Sequence, residues 1–117
     1  MFTAKEVAYI KSQRLARIST VGDNLQPDVV PVGFDFDGTY FYVGGRRNKT
    51  TRKYKNVANG HTHVALVIDD LASVKPWMVH GLKIYGTAEI VEHDGYAGSG
   101  AYLRIKPTAS WSWGIED

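Results

Sequence analysis

The chain has 117 residues, of which 44% are hydrophobic and 22% charged, and its formal net charge at pH 7 is +2. These values indicate one globular domain over residues 1–117 and exclude a disordered chain, and so small a net charge does not by itself point to nucleic acid. The absence of cysteine excludes disulfides, thiolate metal sites and a cysteine nucleophile. No stretch has the pattern of a signal peptide or the length of a membrane span, so we expect a soluble cytoplasmic protein.

The N-terminal residues predict a short helix. Thr3 and Glu6 have the spacing of a capping box, in which each side chain hydrogen-bonds to the backbone N–H of the other residue. Val7 and Ile10 supply one apolar face, and the helical pattern ends near Gln13.

The pattern then changes to that of β-strands. Strands are predicted over residues 14–21, 29–36, 39–45, 63–69 and 81–91, and one or two more over residues 101–114. The apolar run 63–69 predicts burial on both faces, whereas 81–91 alternates and places Leu82, Ile84, Ala88 and Ile90 on one face. Residues 93–100 predict a loop. Six or so strands joined by short turns, with two short helices, predict a mainly β protein, a small β-barrel.

Residues 44–60 hold six of the fourteen Lys and Arg residues, and this basic segment has two interpretations. A helix over Thr50–Ala58, capped by Asn48 or Thr50, would present unpaired N–H groups to an anion. The residues that would surround this end are Gly44, Gly45, Arg46, Arg47, Lys49, Thr50, Thr51 and Lys53. The alternative is a solvated basic face, and the glycine pair before the helix favours the anion.

Two further features could belong to a binding site. Pro31 lacks an N–H, so it predicts an edge strand or an interruption that leaves backbone groups free for a planar heterocycle. Trp111 and Trp113 are two residues apart and share one face of a strand, which indicates an aromatic wall over a ligand, a dimer contact or part of the core.

Motifs for independent chemistry are missing from the sequence. His61, His63, Asp69 and Asp70 could be drawn together as a metal set, but a structural role is the better interpretation and no metal is assigned. The sequence has no nucleophile elbow, Walker A motif or GxGxxG. An enzyme of this sequence would therefore depend on a cofactor.

The order of these features resembles a known family. Along the chain the motifs are RLARISTV, QPDVVPVGF, YVGG with TTRKYKNV, VALVIDD, GLKIYGTAEIV, LRIKP and SWSWG. This order covers nearly the whole chain and resembles the PPOX-class, coenzyme F420-dependent oxidoreductases of the pyridoxamine 5′-phosphate oxidase-like flavin and deazaflavin proteins. The resemblance implies a split β-barrel that forms a homodimer with two interfacial cofactor sites. It also implies a reductase in which the deazaflavin F420 passes a hydride to a small organic substrate.

The resemblance also assigns site residues by position. It implies backbone contacts to the cofactor ring from Val30, Pro31 and Val32, a phosphate held by Gly45, Arg46, Arg47, Thr50, Thr51 and Lys53, and Trp113 approaching from the partner subunit. Arg17 and Ser19 lie where the first strand of the family passes the site. No proton donor is assigned, and Tyr54, His80 and Tyr85 are candidates only.

Three alternatives stay open at the level of sequence. FMN could replace F420, since one phosphate would need fewer cations, or the protein could carry the deazaflavin without turnover. A module that binds RNA is the third, because FYVGG and KIYGTAEI faintly resemble the aromatic stretches of an RRM. Residues 14–43, however, predict three strands in succession where that fold needs a helix, so we expect no nucleic-acid or membrane partner.

Overall fold

A seven-stranded antiparallel sheet and two short helices make up the computed structural model, which describes residues 1–45 and 47–115. The elements are α1 (Ala4–Ser12), β1 (Leu15–Val21), β2 (Pro27–Gly33), β3 (Asp35–Phe36), β4 (Phe41–Val43), α2 (Arg52–Ala58), β5 (His63–Ser73), β6 (Met78–Gly95) and β7 (Gly98–Trp113). A turn of 3-10 helix, Asn48–Thr50, precedes α2.

The connection between β2 and β3 makes the sheet curl. The strand order is β2-β1-β5-β6-β7-β4-β3, so β2 and β3 lie at opposite edges of the sheet. Only Phe34 separates these strands in sequence, and the two edges must therefore meet. The chain itself closes the barrel, and β2 remains an edge strand. This architecture confirms the predicted mainly β, split-barrel class and the predicted edge position of Pro31.

The interior of the barrel is apolar. The core side chains come from all the long strands and from both helices, and they are Ile10, Ala16, Ile18, Val32, Phe41, Val43, Val57, Val64, Leu66, Ile68, Leu82, Ile84, Ala88, Leu103 and Ile105. The predicted inward face of residues 81–91 is confirmed at three of its four positions, whereas Ile90 is 37% exposed. Ile90 lies on the part of β6 that extends past the strands on its other side, so little packs against it.

Helix α1 has the predicted capping box, with Thr3 as N-cap and reciprocal hydrogen bonds between Thr3 and Glu6. Ile10 of this helix is completely buried in the core. The capping box fixes where the helix begins, and Ile10 fixes which face it turns to the sheet.

The predicted loop over residues 93–100 is wrong. Strand β6 continues to Gly95 and β7 begins at Gly98, so only Tyr96 and Ala97 form the turn. Tyr96 packs this hairpin against the body of the protein, because its hydroxyl donates to the Gly44 carbonyl at 2.8 Å and accepts from the Gly44 N–H at 3.0 Å. The glycines of residues 93–100 suggested a loop. They lie at strand ends instead, because cross-strand pairing and the Tyr96 contact hold the backbone in place.

The second helix begins two residues later than predicted. Thr51, and neither Asn48 nor Thr50, is the N-cap of α2, and its side chain accepts from the Tyr54 N–H. The Asn48 amide is instead buried and donates to the Ala101 carbonyl at 2.9 Å. Asn48, which the local sequence suggested as a cap, is therefore used in a tertiary contact instead.

Two expectations about single strands also change. Strand β5 has one buried face and one half-buried face over most of its length, so it is not buried on both faces. Residues 101–114 form a single strand with an irregularity at Thr108, since Tyr85 pairs with Ala109 while Gly86 pairs with Pro107. In the described part of the chain, neither helix has the length and apolar character needed to span a bilayer.

We predict that Thr51→Ala lowers the free energy of unfolding by about 1 kcal/mol, because it removes the N-cap acceptor of α2. Thr51→Ser keeps that acceptor and is the matched control. Urea unfolding of both variants measures the difference. A loss at Thr50→Ala as large as that at Thr51→Ala would contradict the assignment of the cap.

Candidate functional site

The edge strand β2 presents its backbone, Val29 and Pro31 to solvent, while Val30 and Val32 point inward. Val32 is buried in the core and Val30 packs against it, so these residues can offer only backbone groups to a ligand. Pro31 lies directly across from Arg17, and Val29 lies across from Ser19. The structure thus brings the predicted segment of β2 and the two predicted residues of β1 onto one outer face.

Arg17 on this face has a carboxylate partner, because its guanidinium forms an ion pair with Asp69 of β5. Asp69 is the only acidic partner that the described residues give it. The pair fixes the direction of the Arg17 side chain across the sheet. Sequence reasoning linked Asp69 to a possible metal set and missed this pair.

The six cations of the basic segment do not gather at one point. Arg47 and Lys49 line a recess of about 310 Å³ between the 3-10 turn and the start of β7, which Glu92 also borders. Arg52 lines a different recess of about 240 Å³, beside Asp28 near the start of β2. Arg46 is predicted to be at the site and lies outside the described residues.

Of the two glycines before the segment, only one has open space beside it. A Cβ on Gly44 would lie 2.4 Å from the Tyr102 ring, so this glycine is needed for internal packing. Gly45, with φ of 155°, has nothing within 4 Å of an added Cβ and lines the recess with Arg47. Close approach of a ligand to the backbone is therefore possible at Gly45.

The predicted threonine donors are already engaged within their own turn. The Thr50 hydroxyl donates to the Arg47 carbonyl at 2.8 Å, and the Thr51 hydroxyl donates to the Asn48 carbonyl at 2.6 Å. Both hydroxyl protons are thus used, and helix α2 has only seven residues. An anion at this place would have to be held mainly by cationic side chains and by backbone N–H groups.

Lys53 is the unusual cation of the segment. The residue is only 7% exposed, and the described residues provide it with no hydrogen bond or ion pair. Burial lowers the pKa of its ammonium, and the charge of Asp28 opposes that shift. A largely buried lysine whose ammonium has no hydrogen-bond or ion-pair partner among the described residues is unusual, which makes Lys53 the strongest candidate for contact with an absent anion.

The three candidate proton donors lie in different surroundings. Tyr54 packs partly against the core, and Tyr85 lies on the outer face with Arg17 and Ser19. His80 pairs in register with Asp70, and its Nδ1 lies 3.3 Å from an Asp70 carboxylate oxygen.

The surroundings of His80 belong to the packing of α1. The Tyr9 hydroxyl of α1 donates to Asp70 at 2.6 Å, and its ring meets the His80 ring edge-on at 5.9 Å. Burial and the Asp70 carboxylate raise the pKa of Tyr9. Of the three candidates, only Tyr85 shares the face of the β2 edge.

The two C-terminal tryptophans are exposed and share the outer face. Trp111 and Trp113 pair with Lys83 and Gly81 on β6. The Trp113 ring lies over Gly81 of its own chain, since a Cβ there would be 2.1 Å from the ring. Partial exposure of both rings leaves room for a ligand or a partner subunit.

The imagined metal set is not assembled. His61 contacts Asp23 at 2.5 Å, whereas Asp69 and Asp70 contact Arg17 and Tyr9. Across residues 1–45 and 47–115, no three acidic, histidine or cysteine side chains converge as metal ligands.

Sequence reasoning also missed the residue that faces the buried lysine. Asp28 belongs to β2 and Lys53 to α2, and no local pattern links positions so far apart. In the sequence, Lys83 is recognisable only as an outward residue of an alternating strand. The same alternation already places Lys83 and Tyr85 on one face of that strand.

Comparison with known proteins places the chain in a family. The family model of pyridoxamine 5′-phosphate oxidase matches residues 2–111. The chain belongs to the pyridoxamine 5′-phosphate oxidase family. This membership, with the relatives below, confirms the resemblance drawn from the order of the motifs.

The relatives of this family member include a reductase. A 5a,11a-dehydrotetracycline/5a,11a-dehydrooxytetracycline reductase from Streptomyces rimosus subsp. rimosus is 36% identical over 122 residues, which cover 98% of this chain and 84% of the relative. The reductase activity of this relative supports the assignment of the present chain to the oxidoreductases.

Solved structures share the fold. The conserved hypothetical protein Rv2991 from Mycobacterium tuberculosis has a TM-score of 0.73 at 19% identity, over 98% of this chain and 86% of that one. An F420 reductase has a TM-score of 0.64 at 18% identity, over 84% of this chain and 89% of that one.

We predict that Lys53→Met raises the free energy of unfolding at pH 7 by less than about 1 kcal/mol, since it removes a charge that burial of the side chain partly desolvates and solvent still partly screens. Because the folded pKa lies below the unfolded value of 10.5, the cost of the charge is full below the folded pKa and disappears as the pH rises toward 10.5. The advantage of the variant should therefore shrink between pH 7 and pH 10. Urea unfolding at both pH values measures it.

Lys55→Met is the control, because Lys55 is an exposed lysine of the same helix and its loss should change stability by less than about 0.5 kcal/mol. A Lys53→Met protein less stable than the wild type at pH 7 would show that the buried ammonium is satisfied.

Proposed function

We propose that this protein is an F420-dependent reductase, which accepts reducing equivalents from the reduced deazaflavin and passes them to a small conjugated organic substrate. The observation that carries the proposal is Lys53, a largely buried side chain whose ammonium has no hydrogen-bond or ion-pair partner among the described residues. A phosphate oxygen of the cofactor would supply the missing charge-assisted hydrogen bond. The reductase related at 36% identity supports the class of reaction.

The charge of the basic segment favours F420 over FMN. F420 carries a phosphodiester and glutamate carboxylates, so it presents several negative charges, whereas FMN presents one phosphate. Lys53 and Arg52 face the β2 side of the segment, and Arg47 and Lys49 face the β7 side. Cations on both sides of the turn suit an extended anion better than a single phosphate.

The outer face then has a defined task for each element. When bound, the deazaflavin supplies the hydride. The β2 edge around Pro31 offers backbone groups to a planar ring, and Arg17, held by Asp69, lies across from it on β1. Tyr85 borders a recess of about 260 Å³ that Ser19 also lines, and it is the best placed of the candidate proton donors.

A homodimer is part of the proposal, with a patch of apolar residues as the contact. Large exposed apolar side chains concentrate at the β5–β6 turn and beside it, and they are Leu71, Val74, Trp77, Met78 and Trp113. A monomer gains nothing from exposing so many apolar side chains together. A second copy covering them would also bring Trp113 close to a neighbouring site, as the family resemblance implies.

We predict that the protein binds F420 more tightly than FMN, and that Lys53→Met weakens F420 binding by about 1–3 kcal/mol, or about fivefold to 150-fold. Fluorescence titration of the purified protein with each cofactor measures both effects. Lys55→Met is the control and should bind as the wild type does.

The outcomes of this titration separate the candidate functions. Tighter binding of FMN would replace the deazaflavin in the proposal. Binding of F420 without oxidation of its reduced form by any tested enone would indicate a carrier. No binding of either cofactor, with salt-sensitive binding of single-stranded RNA, would support the RNA alternative.

We predict that the double variant Leu71→Glu, Trp77→Glu raises the dimer dissociation constant at least tenfold, because interface aromatic residues often contribute 2 kcal/mol or more. Leu25→Glu is the control, since Leu25 is exposed in the β1–β2 turn at the other end of β1. Sedimentation velocity over a range of concentrations measures the constants. An unchanged constant in the double variant would move the interface elsewhere.

A further inference from the structure

Three side chains on the outer face form a compact unit of one cation and two rings. The Lys83 ammonium lies 4.7 Å from the centre of the Trp111 ring and 5.3 Å from the centre of the Tyr85 ring. The two rings meet edge to face at a centre distance of 4.9 Å. We name these residues the cation–aromatic wall, and both of its rings are 47% exposed.

The wall lies in line with the β2 edge. Paired residues run straight across five strands, from Pro31 to Arg17, Val67, Lys83 and Trp111. Only β5 separates β1 from β6, so Arg17 and Lys83 start about 10 Å apart. A molecule that rests on the wall would therefore lie beside whatever occupies the β2 edge.

Lys83 differs from the two arginines of this sheet. Arg17 is paired with Asp69, and Arg104 is paired with Glu89. Lys83 has no carboxylate within ion-pair range among the described residues, and its contacts are the two rings. The wall thus carries an uncompensated positive charge at the surface of two aromatic faces.

A shallow, open depression lies beside Tyr85 of the wall. Tyr85 forms the rim of the recess of about 260 Å³, whose other lining residues include Ser19, Pro27, His63 and Ala65. Rings that are half exposed at the edge of a hollow can stack on a flat molecule, and stacking adds about 0.5–1.5 kcal/mol beyond area burial. The shape selects planar molecules, and the charge selects anions.

We propose that the cation–aromatic wall is the substrate-recognition surface, and that its ligand is a planar, conjugated molecule with a delocalised oxyanion, such as a carboxylate, phenolate or enolate on a fused-ring system. This inference rests on the proposed function, because the ligand is a substrate only if a hydride donor on the β2 edge reduces its conjugated system. Stacking on the Trp111 ring orients the ring system, the Tyr85 ring contacts its edge, and the Lys83 ammonium binds the oxyanion.

The test uses two fused-ring probes of similar shape and different charge. At pH 7 the probe 3-hydroxy-2-naphthoate is an anion, and 2-naphthol is neutral. Quenching of tryptophan fluorescence and isothermal titration calorimetry measure their dissociation constants, with and without F420. We expect the wild type to bind the anion more tightly than the neutral probe.

The variants assign the two parts of the wall. Lys83→Met should weaken binding of 3-hydroxy-2-naphthoate about tenfold and leave that of 2-naphthol within about twofold, whereas Lys83→Arg should keep the preference for the anion. Trp111→Leu should weaken binding of both probes. Equal binding of the anion by the wild type and Lys83→Met would overturn the proposal.

Two further measurements separate this inference from the rest. Loss of the dimer in Lys83→Met or Trp111→Leu, with probe binding unchanged, would show that a second copy covers the wall and would overturn the inference. F420 titration of the same variants reports on the proposed function independently. Failure to bind F420 with an intact probe preference would reject the cofactor and keep the wall, while normal F420 binding without a probe preference would reject the wall alone.

Discussion

The closure of the sheet at Phe34 is the constraint on which the rest of the structure depends. Because one residue joins strands at opposite edges of the sheet, the sheet has to curl until those edges meet. The inward faces of the strands are then largely shielded from water and carry mostly apolar side chains. The outward face of the strands from β2 to β7 becomes one continuous surface, and the candidate site is built on it.

Closure by the chain rather than by hydrogen bonds leaves an edge on β2. That edge carries Pro31, which donates no hydrogen bond and so does not invite another strand to pair there. The Tyr96 hairpin covers the neighbouring junction by binding both backbone groups of Gly44. An edge protected in this way can offer backbone groups to a small planar ligand without exposing the protein to strand addition.

The cations of the molecule fall into two groups, those with a carboxylate partner and those without one. Of the four lysines and arginines in the described strands, the two arginines are matched by a carboxylate, Arg17 by Asp69 and Arg104 by Glu89. Lys53 is buried beside the sheet, and Lys83 is exposed on two rings, and the described residues match neither with an ion pair. An unmatched charge on a largely buried side chain is costly in the absence of a ligand, so binding of an anion would gain most at Lys53.

The sequence by itself determined the elements that depend on local chemistry. The capping box of α1, the alternating strand 81–91, the edge position of Pro31 and the mainly β class could all be predicted, because each depends on residues within a few positions of one another. Family membership followed from the order of the motifs. The hairpin over residues 93–100 and the true cap of α2 could not be predicted, since Tyr96 and Asn48 are held by contacts far away in the sequence.

Only the tertiary structure decided which polar residues act together. Composition predicted that residues 44–60 could bind an anion. Burial in the folded chain distinguishes Lys53 from the other cations of this segment. The hydroxyls of Thr50 and Thr51 donate to backbone carbonyls of their own turn instead of to a ligand. The row from Pro31 through Arg17 and Lys83 to Trp111 depends on strand register, which joins residues 80 positions apart. Register and burial are properties of the folded chain as a whole, so no local pattern could have determined them.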